Sequence, residues 1–426
     1  MSKIKELYSL IENGGLNERF ELVYGKENVE IQKNRYLHAI KAFEKTYPGY
    51  DDIALYSAPG RTEVSGNHTD HNHGRVVAAS VNLDVIAVVA KSGDSEIRIK
   101  SEGFPEDVIN VDDLSVKAEE KNTSASLIRG VAFKISELGS SVGGFRAYTT
   151  SNVLKGSGLS SSAAFEVLVG TIINHEFCDG SLSDVDIAKI GQFAESAYFG
   201  KPSGLLDQTA SSVGSFVAVD FKDPSAPVIN KVSFDFQSSG YSLCIVDTGG
   251  NHADLTGDYA AVPTEMKAVA NLFGKEVLRE IDKSEFYKNI GKVREKVSDR
   301  AVLRAMHFIE EDERAGAVAE VLNKGDFEAF KDLIITSGRS SYMYLQNVYT
   351  CKNPEEQGLS LALALSEKLL SGKGAWRVHG GGFAGTIQAF VPNEFLQEYK
   401  NAIEAVFGEG SCYVLLVRPV GGCKIG

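Results

Sequence analysis

The 426-residue sequence predicts an α+β protein of two domains, divided near residue 220. The chain exceeds the roughly 250–300 residues at which a single hydrophobic core stops growing. Strand-like and helix-period segments are mixed without the strict alternation of a parallel α/β sheet. A polar, proline-containing stretch at 222–226 separates two well-patterned halves, giving expected domains 1–220 and 221–426.

The elements follow in order. Residues 36–47 carry Leu37, Ile40 and Phe43 at helical spacing, and Pro48 and Gly49 stop that helix. A strand-like run at 53–57 leads into Ala58-Pro59-Gly60-Arg61, and the β-branched run 85–90 reads as a buried strand. The polar segment between these two strands is therefore expected on a loop. Residues 163–177 join good helix formers to an apolar face, behind serines suited to an N-cap, and a second helix is expected over 185–199. A strand at 216–220 closes the first half. The second half opens with a strand at 243–246, continues through charged helical sequence at 280–322 and a helix at 326–337, and ends in strands at 386–391 and 413–419. No internal repeat interrupts this order.

Composition narrows the function. A formal charge of −13, with no basic run carrying interleaved aromatics, disfavours nucleic acid as a partner. The five cysteines are scattered without zinc spacing and read as reduced thiols. The N-terminal residues lack an apolar signal core, and no apolar run approaches the ~20 residues that span a bilayer. A cytoplasmic protein, off the membrane and monomeric, is the expectation.

Three glycine-containing clusters carry the chemistry. The first to stand out is Leu154-Lys155-Gly156-Ser157-Gly158-Leu159-Ser160-Ser161-Ser162-Ala163, directly before a helix. Glycines allow close backbone approach to an anion, and a helix start offers unpaired N–H groups and a positive dipole end. The serines add hydroxyl donors and a possible Mg²⁺ ligand. A simple Gly/Ser turn capping a helix is the competing reading of this cluster alone. Residues 59–74 pack Arg61, Glu63, Asn67, His68, Asp70, His71 and His73 into one segment, a donor and acceptor density suited to a polyol. His68, His71, His73 and Asp70 as metal ligands of a hydrolase are the alternative, although their spacing matches no standard zinc motif. The third cluster, Gly380-Gly381-Gly382-Phe383-Ala384-Gly385, lies between a helical stretch and a strand.

In this order the clusters resemble the GHMP small-molecule kinases, and the galactokinases in particular, over nearly the whole chain. Residues 59–74 are similar to that family's sugar-binding segment, 154–163 to its phosphate loop and 380–385 to its third glycine motif. Gly204-Leu205-Leu206-Asp207-Gln208 resembles its catalytic stretch, with Glu195 twelve residues before Asp207. The resemblance implies a ribosomal protein S5 domain 2-like N-terminal domain and a ferredoxin-like C-terminal domain. It implies ATP and Mg²⁺, with Asp207 as general base and Arg61 stabilising the transferring phosphoryl group. Asn67, His68, Asp70, Gly204 and Tyr259 would contact the sugar. Gly156, Ser157, Gly158, Leu159, Ser160, Ser161 and Ser162 would cradle phosphate, with Ser162 and Glu195 holding Mg²⁺. The expected reaction is ATP-dependent phosphorylation of the anomeric hydroxyl of galactose. A 1-kinase for galacturonate, L-arabinose or N-acetylgalactosamine, or a catalytically silent sugar sensor, are the alternatives.

The sequence departs from that family at instructive positions. Asn67 stands where the family has a glutamate that reads the sugar's 6-hydroxyl, His71 where it has tyrosine, and Glu63 where it has asparagine. Loss of the carboxylate at 67 lowers the expected barrier to a sugar acid.

Overall fold

The computed structural model describes residues 3–153, 158–201, 203–250 and 255–426. Three helices, α1 (Lys3–Glu12), α2 (Asn17–Tyr24) and α3 (Val29–Thr46), precede the first sheet. That sheet contains β1 (Ala54–Ser65), β2 (Arg75–Lys91), β3 (Glu96–Ser101) and β4 (Glu106–Asn110). Helix α4 (Ser124–Glu137) leads to β5 (Phe145–Ser151), which lies parallel to β3. Then come α5 (Ser161–Phe177), α6 (Asp184–Phe193), a π-helical turn at Ala194–Phe199, α7 (Leu206–Val213), β6 (Phe216–Asp220) and β7 (Val228–Val232).

β2 organises the sheet because apolar residues occupy both of its faces, as a doubly covered strand requires. Val77, Ala79, Val85, Ala87 and Val89 share one core with residues of α4 and α5, while Ile86, Val88 and Ala90 share a second core with the three N-terminal helices. Its first half pairs with β6 and its second half with β5.

The second unit begins with β8 (Tyr241–Asp247) and continues through α8 (Thr256–Leu272), α9 (Lys283–Arg294), α10 (Asp299–Asn323), α11 (Phe327–Ser340) and α12 (Gly358–Leu370). It closes with β9 (Ala375–Val378), β10 (Thr386–Pro392), α13 (Leu396–Phe407) and β11 (Cys412–Leu415). The order β11-β8-β10-β9, antiparallel throughout, is the ferredoxin-like arrangement expected. Leu243, Ile245 and Phe390 of this sheet share a core with Val318, Leu322 and the first sheet's residues, so apolar packing is continuous between the units.

Two expectations need adjustment. β1 does not end at residue 57 but runs to Ser65, carrying half of the polar cluster on a strand and leaving 66–74 as the loop. Two register shifts against β2, between Pro59 and Arg61 and between Glu63 and Ser65, absorb the proline and glycine that made this stretch look irregular. The third glycine cluster follows a strand, β9, because α12 already ends at Leu370. The division expected at residue 220 falls between β6 and β7, which are hydrogen-bonded neighbours. We propose that the change of unit comes just after β7, with β12 (Cys423–Lys424) returning to pair with β1. Among the described residues, no helix is long and apolar enough to cross a membrane.

Candidate active site

The two strand irregularities of β1 aim Arg61 and Glu63 into a cavity of about 210 Å³ between the units. Its wall also includes His68, Asp70, Gly204, Asp207 and Gly380. Gly60 is required beside it, because a Cβ there would stand 2.8 Å from the Leu159 carbonyl. That close approach lets the Arg61 amide donate to Leu159 O at 3.0 Å, which ties β1 to the serine-rich loop.

Asp207, in the first turn of α7, meets both neighbours. Arg61 Nε donates to its Oδ1 at 2.7 Å and Ser160 Oγ to its Oδ2 at 2.6 Å, while the other arm of Arg61 donates to Gly158 O. Burial alone would raise the pKa of Asp207, but Arg61 and Ser160 outweigh it and hold the carboxyl below its ordinary value. Asp207 is therefore ionised throughout the working range. Ser160 occupies the N-cap position of α5 in a left-handed conformation, φ 57°, and its hydroxyl goes to Asp207 rather than to the helix. The first amides of α5 thus keep the anion-binding character of an uncapped helix start.

On the far side of the loop, Ser162 Oγ lies 3.2 Å from Glu195 Oε1 on the π-helical turn. Lys201 Nζ lies 2.8 Å from that same oxygen. Burial works to lower the pKa of Lys201, but the Glu195 carboxylate raises it overall and keeps the ammonium charged. Gln208 Nε2 bridges Glu195 Oε2 and Glu166 Oε2, each at 2.9 Å.

In the sugar-type loop, His68 Nε2–H donates to Gly381 O at 2.9 Å, linking the first cluster to the third. Burial pushes the His68 imidazole down to about 4, against the raising effect of that carbonyl, so the ring is neutral near pH 7 with Nδ1 free of the proton. Because this folded value lies below the ordinary 6.5, the unfolded chain takes up a proton between about pH 6.5 and 4 that folded His68 refuses. His68 therefore costs stability as pH falls through that window and costs none above it. His68→Gln is expected to lose less stability than the wild type between pH 7.5 and 5, read from denaturant midpoints.

The structure thus gathers Arg61, His68, Asp70, Gly204 and Asp207 around one cavity, next to Gly158, Leu159, Ser160, Ser161 and Ser162. Gly156 and Ser157 lie outside the described residues. Asn67 is a fully buried part of the wall. Tyr259 stands behind it: its hydroxyl donates to Gly382 O at 2.9 Å, its ring is edge-on to Phe383, and it is absent from the described cavity lining. Among the described residues, no three His, Cys, Asp or Glu side chains converge as a metal cluster. Sequence reasoning missed Lys201, Glu166 and Arg377, whose single charges belong to no motif and gain meaning only from the partners that the fold brings to them.

Comparison with known proteins defines the class. Residues 126–215 match the N-terminal domain of GHMP kinases, and residues 41–91 match a galactokinase galactose-binding signature. The crystal structure of Lactococcus lactis galactokinase complexed with galactose superposes with a TM-score of 0.74 at 22% identity, covering 90% of this chain and 98% of that one. Mevalonate kinase of Methanococcus jannaschii gives 0.61 at 14% identity, covering 86% of this chain and 98% of its own. The fold is that of the GHMP kinases. A galactokinase of Streptomyces coelicolor is 30% identical over 372 residues, 86% of this chain and 91% of the relative, and one of Clostridium tetani is 29% identical over 370 residues, 85% and 90%. The chain belongs to the galactokinase family of sugar kinases.

Proposed function

We propose that this chain transfers the γ-phosphoryl group of ATP to the anomeric hydroxyl of galactose, giving galactose 1-phosphate and ADP. The observation that carries this reading is the placement of Asp207, which lines the sugar-sized cavity while bonded to Ser160 of the serine-rich loop at 2.6 Å. One carboxylate therefore touches the acceptor compartment and the donor loop together.

In this reading the sugar's O1 lies beside Asp207, and His68, Asp70 and Gly204 contact its other hydroxyls. Asn67 and Tyr259 lie in and behind the wall. The phosphates take the amides of 156–162 at the start of α5. As the O1–P bond forms and the P–O bond to the departing ADP breaks, the hydroxyl proton passes to Asp207 and then to water. The low pKa of Asp207 makes it a weak base, so proton transfer accompanies phosphoryl arrival, which acidifies the hydroxyl. The Arg61 guanidinium spreads positive charge over the transferring group.

The residues present also fit Mg²⁺. Ser162 and Glu195 offer hard oxygen donors, and the Lys201 ammonium already rests on the Glu195 oxygen nearest Ser162, so the position attracts a cation. Mg²⁺ held there would neutralise phosphate charge. Glu195→Gln is expected to raise the Mg²⁺ concentration for half-maximal rate about tenfold or more, measured by titration at saturating ATP. We further propose that the protein works as a monomer in the cytoplasm.

ADP release from the purified protein with Mg·ATP, tested against galactose, galacturonate, L-arabinose and N-acetylgalactosamine, checks the reading. Galactose should be the best acceptor. An inert galactose beside another active sugar would move the substrate, and silence with all four would reject the activity.

A further inference from the structure

We propose that Glu63 is the carboxylate that reads a substrate hydroxyl in this pocket and turns it against acidic sugars; the inference rests on the sugar-kinase reading above. Positions 63 and 67 divide their tasks unequally. Asn67 is fully buried and its amide is used up: Nδ2 donates to Glu63 Oε1 at 2.9 Å and Gly380 O at 2.7 Å, and Oδ1 accepts from Asn347 Nδ2 at 2.8 Å. It is a clamp between the two units, with no group left over for a ligand.

Glu63 is arranged the other way. Its Oε1 receives both Asn67 and Arg377 NH2, the latter at 3.0 Å, whereas Oε2 has no hydrogen-bond partner among the described residues and keeps contact with the solvent of the cavity. The side chain is only 14% exposed and lines the cavity. An acceptor oxygen held at a cavity wall with only water as its donor can exchange that water for a sugar hydroxyl, a donor of the right kind. Arg377, fully buried on β9, fixes the carboxylate by donating also to Val64 O at 2.6 Å, so Oε2 is held rather than free to turn back. Around the described wall stand Glu63, Asp70 and Asp207, and the two guanidiniums that serve them are already engaged, Arg61 with Asp207 and the buried Arg377 with Glu63. A sugar acid would bring a further negative charge into that enclosure. The carboxylate missing at 67 is supplied from 63, and the lowered barrier to acids expected from the sequence does not follow.

The test compares kcat/KM of wild type and Glu63→Gln with galactose, its 2-, 3-, 4- and 6-deoxy derivatives, and galacturonate. In the variant the amide oxygen stays with Arg377 and an NH2 group faces the cavity, which cannot accept from a hydroxyl. The expected loss with galactose is about 10- to 100-fold, the size of a hydrogen bond to a charged acceptor. With one deoxy sugar the loss should nearly vanish, because the hydroxyl that Glu63 reads is already missing, and galacturonate should gain relative to galactose. A merely structural Glu63 would give the same loss with every sugar; that result, or no loss at all, overturns the proposal. If Glu63→Gln does not fold, Glu63→Asp keeps the charge for Arg377 while withdrawing Oε2, and the same comparison applies. A wild type active on galactose with a uniform loss in the variant defeats this inference alone. A wild type inert with every sugar defeats the proposed function and this inference with it.

Discussion

Asp207→Asn is expected to lower kcat about 10²- to 10⁴-fold, the range for a positioned proton acceptor, while galactose affinity changes little. The asparagine keeps the size of the side chain and one oxygen for Arg61 or Ser160, which hold the wild-type carboxylate at 2.7 and 2.6 Å. It loses the negative charge that receives the proton and anchors the guanidinium. Coupled measurement of ADP release gives kcat, and calorimetric titration with galactose gives the binding constant. The native carboxyl sits below its ordinary value, so protonation of Asp207 should not limit the wild-type rate above about pH 4. Unaltered turnover in the variant would remove Asp207 from the reaction.

The largest expected loss of stability lies outside the cavity wall. Glu311 on α10 is fully buried and accepts from the Gly66 amide at 2.9 Å, Ser65 Oγ at 3.2 Å and Ser337 Oγ at 2.6 Å, and it pairs with Arg314. One turn earlier, His307 Nε2–H donates to Asn67 O at 2.9 Å. α10 therefore holds the turn 65–67 from both ends and sets the entry to the sugar loop. Glu311→Ala leaves Arg314 and the Gly66 N–H without their acceptor, at an expected cost of about 3–5 kcal/mol, with weaker galactose binding as the loop loosens. Burial would raise the Glu311 carboxyl, but Arg314, His307 and Arg377 outweigh it and hold it at about 2. Its stabilisation is therefore present above the ordinary 4.5 and is lost as pH falls through about 2. Denaturant midpoints from pH 7 downward should show a lower but flatter curve for the variant. A midpoint change worth under about 1 kcal/mol would show that Glu311 is not the anchor.

Much of this site was legible because its parts are local. The serine-rich loop announces itself by glycines followed by a helix pattern, and the polar density at 59–74 marks a ligand segment before any partner is known. What stayed hidden depends on pairs far apart in the chain. Pro59 and Gly60 argue against a strand, yet pairing with β2 and two register shifts keep that stretch extended. Glu63 looks like a departure from a family pattern until Arg377 is seen against it across 314 positions. Nothing in the sequence around Tyr259 shows that its hydroxyl donates to Gly382 O and its ring packs edge-on against Phe383. Gly156 and Ser157, read in the phosphate loop, lie outside the described residues. The π-helical turn that presents Glu195 to Ser162 reads in sequence as the plain continuation of α6.

The position of phosphate on the product tests the placement of Asp207 most directly. One- and two-dimensional ³¹P–¹H NMR of galactose incubated with the wild-type protein and Mg·ATP should show phosphorus coupled to the anomeric proton, in step with ADP. Phosphorus coupled to the C6 protons, or ADP formed without any sugar phosphate, would contradict a carboxylate at 207 that acts on O1.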